Sequence, residues 1–137
     1  MMCSRRYEVI KMEHALIDDL IRLKLRRDEA ATKPIEINIA SLGKAMTFTM
    51  PTRDQQLDFI GAIRGSAGGN FVEKAYPAYR QLVYDCCPLL HDVNLHSELG
   101  VIDPYDAVDK LFTPLEVMEI GDRLTERFGS IQADIKN

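Results

Sequence analysis

Hydrophobic and polar residues alternate along this chain with two different periods. From Tyr7 to Arg27 the apolar positions recur at helical spacing: Val9, Met12, Leu16, Leu20 and Leu23, with Ile10, Ile17 and Ile21 widening the stripe. Glu8, Lys11, Asp18, Asp19, Arg22 and Arg26 fill the opposite face. This pattern predicts an amphipathic helix whose stripe packs into the core or, as the alternative, meets a partner. Its basic end (Arg22, Lys24, Arg26, Arg27) suits the negative pole of a helix dipole. Asp28 to Lys33 reads as a polar connector.

The period then drops to two. Ile35, Ile37 and Ile39 alternate with Glu36, Asn38 and Ala40, and Met46, Phe48 and Met50 alternate with Thr47 and Thr49. Ser41-Leu42-Gly43-Lys44 supplies a turn between them, so the segment predicts a β-hairpin with one apolar face. A lone hairpin is marginal in water, so that face must be covered by helices or by another chain.

Helical punctuation follows. Pro51 ends the second strand, and Thr52-Arg53-Asp54-Gln55 is a capping box opening a helix with Leu57, Ile60 and Ile63 inward. Gly65 to Gly69 breaks that helix. Asn70 caps the next, which carries Val72, Tyr76, Tyr79, Leu82, Val83, Cys86 and Cys87 and contains Pro77, a source of a kink or a delayed start. Pro88 ends it. His91 to Gly100 predicts a short helix or turn. Asp103-Pro104 and Thr113-Pro114-Leu115-Glu116 each place a cap before a proline at the first helical position, and the second adds Glu116 as its capping-box partner. They predict two short helices, the last stopped at Gly129 and followed by a frayed tail over 130–137. The fold class expected is α+β and mainly α-helical: an N-terminal helix, one hairpin and four to five further helices in a single domain, 1–137, with a loose start at 1–5.

Composition narrows the chemistry. The chain has 137 residues, a net charge of −4 and three cysteines. An acidic total argues against nucleic acid as a partner despite the basic cluster at 22–27, and an odd cysteine count favours a reducing compartment. Met1 to Tyr7 holds two arginines but no apolar segment behind them, and no apolar run approaches a membrane span, so a cytoplasmic protein is expected.

A search for catalytic groups yields little. Cys86, Cys87, His91 and His96 form the single cluster suggestive of a metal, but adjacent cysteines diverge on a helix and do not follow zinc-ligand spacing. Gly65 to Gly69 lacks the Gly-Lys-Ser/Thr end of a phosphate loop. The carboxylates Asp103 and Glu116 are explained as caps together with Thr52, Asn70 and Thr113. No enzyme activity, cofactor or metal is expected.

The residues Val83-Tyr84-Asp85-Cys86-Cys87-Pro88-Leu89-Leu90, the run Glu98 to Glu116 with its Asp103-Pro104-Tyr105-Asp106-Ala107-Val108-Asp109-Lys110-Leu111-Phe112 core, and the closing Ile135-Lys136-Asn137 resemble the phage XkdN-like tail assembly chaperones. Leu115 departs from that pattern, which has a glycine before the glutamate. The resemblance implies a non-catalytic protein of tailed phages or prophages that binds the long tape measure protein and brings tail tube subunits to it, with self-association open. A structural tail or head-completion protein is the alternative. The client surface expected, in a groove beside the hairpin or between the last two helices, comprises Ile37, Met46, Phe48, Leu111, Phe112, Val117 and Ile120.

Overall fold

The computed structural model describes the backbone of residues 2–66 and 68–136 and the side chains of residues 6–66 and 68–128. The chain forms two compact units, Met1–Thr32 and Lys33–Asn137. The first is a single helix, α1 (Met2–Thr32), 31 residues and about 46 Å long at 1.5 Å per residue. It is longer than the periodic stripe: Asp28 to Thr32, expected as a connector, continues the helix. Lys24 Nζ donates to Asp28 Oδ2 at 2.7 Å, and Thr32 Oγ1 donates to the Glu29 carbonyl, so the last turns are tied by local bonds.

The second unit opens with the hairpin, β1 (Ile35–Ile39) and β2 (Lys44–Phe48), in the register Ile35 to Phe48 and Ile39 to Lys44. The amides of Leu42 and Gly43 both donate to the Ile39 carbonyl, and Gly43 takes φ +71°, which a side chain would strain. Ile35, Ile37, Ile39 and Phe48 are buried, so the two-residue period marks a covered face.

Five helices and a 3₁₀ turn complete this unit: α2 (Arg53–Gly65), α3 (Phe71–Asp85), the turn Pro88–His91, α4 (Val93–Leu99), α5 (Asp106–Leu111) and α6 (Pro114–Lys136). The mainly helical α+β class is as the pattern predicts. Helix α3 buries Ala75, Tyr79, Leu82 and Val83, and α6 buries Val117, Ile120, Gly121 and Leu124. Both sets follow the i, i+3/4, i+7 rule of a core-facing stripe. Phe48, Val83, Cys86, Cys87, Leu90, Val108, Val117 and Leu124 are fully enclosed. Glycine at 121 permits the close crossing: a Cβ there would lie 2.3 Å from Cδ1 of Tyr79. The exit of β2 is tied to the end of α3, because the Thr49 amide donates to the Cys86 carbonyl at 2.7 Å.

Several local expectations change. Helix α2 turns Phe59, Ile63 and Ser66 inward, while Leu57 and Ile60 are exposed; the inward stripe starts two residues after Leu57. Asn70 sits at the N-cap of α3 in the left-handed region and makes no side-chain capping bond. Pro77 lies within α3 and does not delay its start at Phe71. Asp103 caps a tight turn: its Oδ1 accepts the Tyr105 amide, and the helix begins three residues later at Asp106 with Tyr105 as its N-cap. Gly129 does not stop the last helix, which runs on to Lys136 and is long rather than short. Met1 and Asn137, the outermost residues of the expected tails, lie outside the described residues. The two capping boxes are as expected, Thr52 with Gln55 and Thr113 with Glu116.

Candidate docking surfaces

The stripe on α1 is the largest departure from expectation. Tyr7, Val9, Ile10, Met12, Leu16, Ile17, Leu20, Ile21 and Leu25 are all exposed, at 51% to 66% of their full surface. At 100° per residue these side chains cover an arc of roughly 220°, about twice the stripe of an ordinary surface helix. One seam holds Val9, Met12, Leu16, Leu20 and Leu23, and a second holds Ile10, Ile17 and Ile21. Scattered surface leucines need no explanation, but nine large apolar residues on one helix form a continuous exposed apolar surface. Sequence reasoning gave this stripe to the core with a partner surface as the alternative, and its residues are exposed.

The seven residues expected to meet a partner have a different fate. Ile37, Phe48, Phe112, Val117 and Ile120 are buried in the second unit, Met46 is half-buried, and Leu111 is exposed. The alternation that made them conspicuous is the mark of the core. Ile37 and Ile120 also reach the floor of a groove that runs beside β1.

That groove, about 720 Å³, lies between β1 and α6. The hairpin is the whole sheet, so β1 has one unpaired edge. The Ile39 carbonyl faces β2 as the acceptor of the turn amides, and backbone groups alternate sides along a strand. Glu36 and Asn38 therefore direct their N–H and C=O groups to the unpaired edge. Across the groove, α6 presents Glu116, Glu119, Arg123 and Glu126 at helical spacing. The Ser41 hydroxyl donates to Glu116 Oε2 at 2.6 Å and joins the hairpin turn to the start of α6. That bond and the capping bonds from Thr113 hold the Glu116 carboxyl below its ordinary range. Sequence reasoning expected a groove beside the hairpin but did not foresee its wall on α6. The carboxylate spacing on α6 was visible, but nothing in the sequence placed α6 beside the strand edge.

Cys86, Cys87, His91 and His96 run from the end of α3 through the turn that follows it into α4. Cys86 and Cys87 are buried free thiols; burial, with help from Asp85 and Cys87, pushes the Cys86 thiol up to about 12, and burial also raises Cys87. Such thiols are poor nucleophiles at neutral pH. His91 Nε2 lies 2.8 Å from the Tyr84 carbonyl, and its ring stacks on Tyr84 at 4.1 Å between centroids. His96 Nε2 meets the Leu90 carbonyl. Each imidazole closes a turn. Among the described residues, no three His, Cys, Asp or Glu side chains are grouped to hold a metal ion. A second cavity, between α2 and α3, holds about 200 Å³, less than most small-molecule sites. Asp85 at its edge is raised above the ordinary carboxylate range by burial, against the pull of its bond with Gln81.

Charged tethers position the helices around this core. Asp109 of α5 accepts from the Tyr76 hydroxyl and from Arg80 Nη1 at 2.7 Å, both on α3. Asp122 of α6 accepts from the Tyr79 hydroxyl at 2.8 Å. Burial, followed by the hydrogen bond to the neighbouring carboxylate, pushes both tyrosines up to about 12. No described helix is long and apolar enough to cross a membrane.

Comparison with protein-family models, with curated proteins and with solved structures gives no match to this chain.

Proposed function

We propose that this chain is a non-catalytic tail assembly chaperone of a tailed phage or prophage. It would shield apolar helices of a tape measure protein before tail assembly and help bring tail tube subunits to them. The observation that carries this reading is the exposed apolar arc of α1. Amphipathic client helices need a complementary apolar surface, and an arc of roughly 220° accommodates a helix on each of its two seams. Covering a half-exposed Leu or Ile gains on the order of 1 kcal/mol before the costs of association. Several such residues in register, repeated over many bound copies, give firm but reversible coverage through avidity. The run from Glu98 to Glu116 supports the same reading through its resemblance to the XkdN-like chaperones.

Co-expression with tape measure fragments tests it. The chain is expected to keep such fragments soluble and to be recovered with them. Leu16→Asp with Leu20→Asp on α1 is expected to lose that recovery while the second unit keeps its unfolding transition. Fragments that remain insoluble and unbound beside the unaltered chain would refute the reading. So would finding the chain as a constituent of purified particles, which is the mark of a structural tail or head-completion protein.

A further inference from the structure

We infer that the unpaired edge of β1 is a strand-addition site for a short, extended, basic peptide segment. This site lies on the second unit and holds independently of the tail-assembly reading. Three features converge on it.

The first is the edge itself. Unpaired backbone donors and acceptors on a strand bind another strand unless something blunts them, such as a proline, a bulge or a covering loop. The stretch Ile35–Ile39 holds no proline, and its register with β2 is unbroken. Glu36 and Asn38 offer their backbone groups outward, as the orientation of the Ile39 carbonyl requires.

The second is room. The groove beside β1 encloses about 720 Å³ and follows the strand from Ile35 to Ala40. At about 3.3 Å per residue that length matches an added strand of about six residues. The Ser41–Glu116 bond joins the two walls at the hairpin-turn end.

The third is charge. The groove is lined by five carboxylates, Glu36, Glu116, Glu119, Asp122 and Glu126, against two arginines, Arg123 and Arg127. On an added strand, alternate side chains point to the face where Ile35, Ile37 and Ile39 already lie, and there they meet α6. Lysine or arginine at those positions would face Glu119 and Glu126. A second copy of this chain is disfavoured as the occupant, because pairing β1 with β1 would bring two acidic rims together. The occupant is therefore a basic, extended segment of another protein.

The test uses the full chain and a fluorescein-labelled, end-capped hexapeptide of alternating lysine and valine. It is compared with its glutamate–valine counterpart and with a lysine–valine peptide N-methylated on alternate residues, which keeps its charge and loses its strand donors. The unmethylated lysine peptide is expected to bind and to perturb the Glu36 and Asn38 amide resonances. N-methylation is expected to weaken binding at least tenfold, and the glutamate peptide to show none. Glu119→Lys with Glu126→Lys, two exposed positions whose change leaves the core intact, is expected to weaken the lysine peptide about tenfold. Absence of binding at millimolar peptide overturns the proposal. Binding indifferent to N-methylation also overturns it, since that is charge attraction without strand pairing. Self-association of the chain through the β1 edge overturns it as well.

Discussion

Replacing Gly121 with alanine tests the packing of the second unit most sharply. In an unpacked helix the change would stabilise by about 1 kcal/mol, because alanine restricts the unfolded chain and favours the helix. Here the new methyl carbon would stand 2.3 Å from Cδ1 and 3.0 Å from Cε1 of Tyr79. Ordinary contact begins near 3.4 Å, so the ring must retreat by about an ångström. Tyr79 has little freedom to do so. It is buried, it meets Phe59 edge-on at 5.2 Å between centroids, and its hydroxyl is committed to Asp122 on the same helix as Gly121. Overpacking costs about 1–3 kcal/mol, and disturbing the part-buried hydroxyl and the aromatic pair adds about 1–2 kcal/mol. Set against the propensity gain, Gly121→Ala should destabilise by roughly 1–4 kcal/mol, and the thermal midpoint should fall by roughly 4–16 °C. Urea or thermal unfolding measures it. Gly61 provides the control: it lies in α2 with no atom near the site of its absent Cβ, so Gly61→Ala should stabilise by up to about 1 kcal/mol. A double-mutant cycle with Tyr79→Ala should abolish the Gly121→Ala penalty. If Gly121→Ala proves neutral or stabilising in the unaltered chain, the close crossing of α3 and α6 is wrong.

Other perturbations follow from the same contacts. Tyr79, with its folded value near 12 against an ordinary 10.0, stabilises the fold fully below pH 10, and that contribution disappears as pH rises from 10 to 12. A spectrophotometric tyrosinate titration should show late ionisation, and Tyr79→Phe should remove one late-titrating group. Asp109→Ala takes the shared acceptor from Tyr76 and Arg80 and should cost about 1–2 kcal/mol in chemical denaturation; no change would mean the α3–α5 tether is idle. Cys86 and Cys87 should react with a thiol reagent only at the rate of opening of the second unit, and fast labelling at either of these two positions, read by peptide mapping, would contradict their burial. Thr113→Ala breaks the capping box of α6 and should lower stability by about 1 kcal/mol, seen as a lower denaturation midpoint.

Where the sequence was informative, side-chain chemistry acted locally. The capping boxes at Thr52 and Thr113, the glycine turn at Gly43 and the Ile/Phe alternation of the hairpin each form from residues a few positions apart. Misreadings arose where a distant neighbour decides the outcome. The inward face of α2 is Phe59 and Ile63 because Tyr79 and the core lie on that side, a fact absent from residues 53–65. Gly129 could have ended α6, and the helix continues past it. Apolar periodicity marks a face that needs covering without saying who covers it. That ambiguity left the α1 stripe, whose residues are exposed, open between core and partner surface, and it put Val117 and Ile120, which are buried, on the client surface. A groove beside the hairpin was expected, but its α6 wall was not, since the two walls come from residues about 80 positions apart.

That separation has a consequence for biosynthesis. Ile35, Ile37 and Ile39 leave the ribosome long before Ile120 and Leu124, which belong to the same core. At about 5–20 residues per second the nascent hairpin waits roughly 4–17 s for its last helix. Through that interval three isoleucines lack their partners on α6. Premature termination within α6 should therefore yield a sticky fragment, and synonymous codons that slow translation across residues 50–115 should lower the soluble yield of an otherwise identical polypeptide.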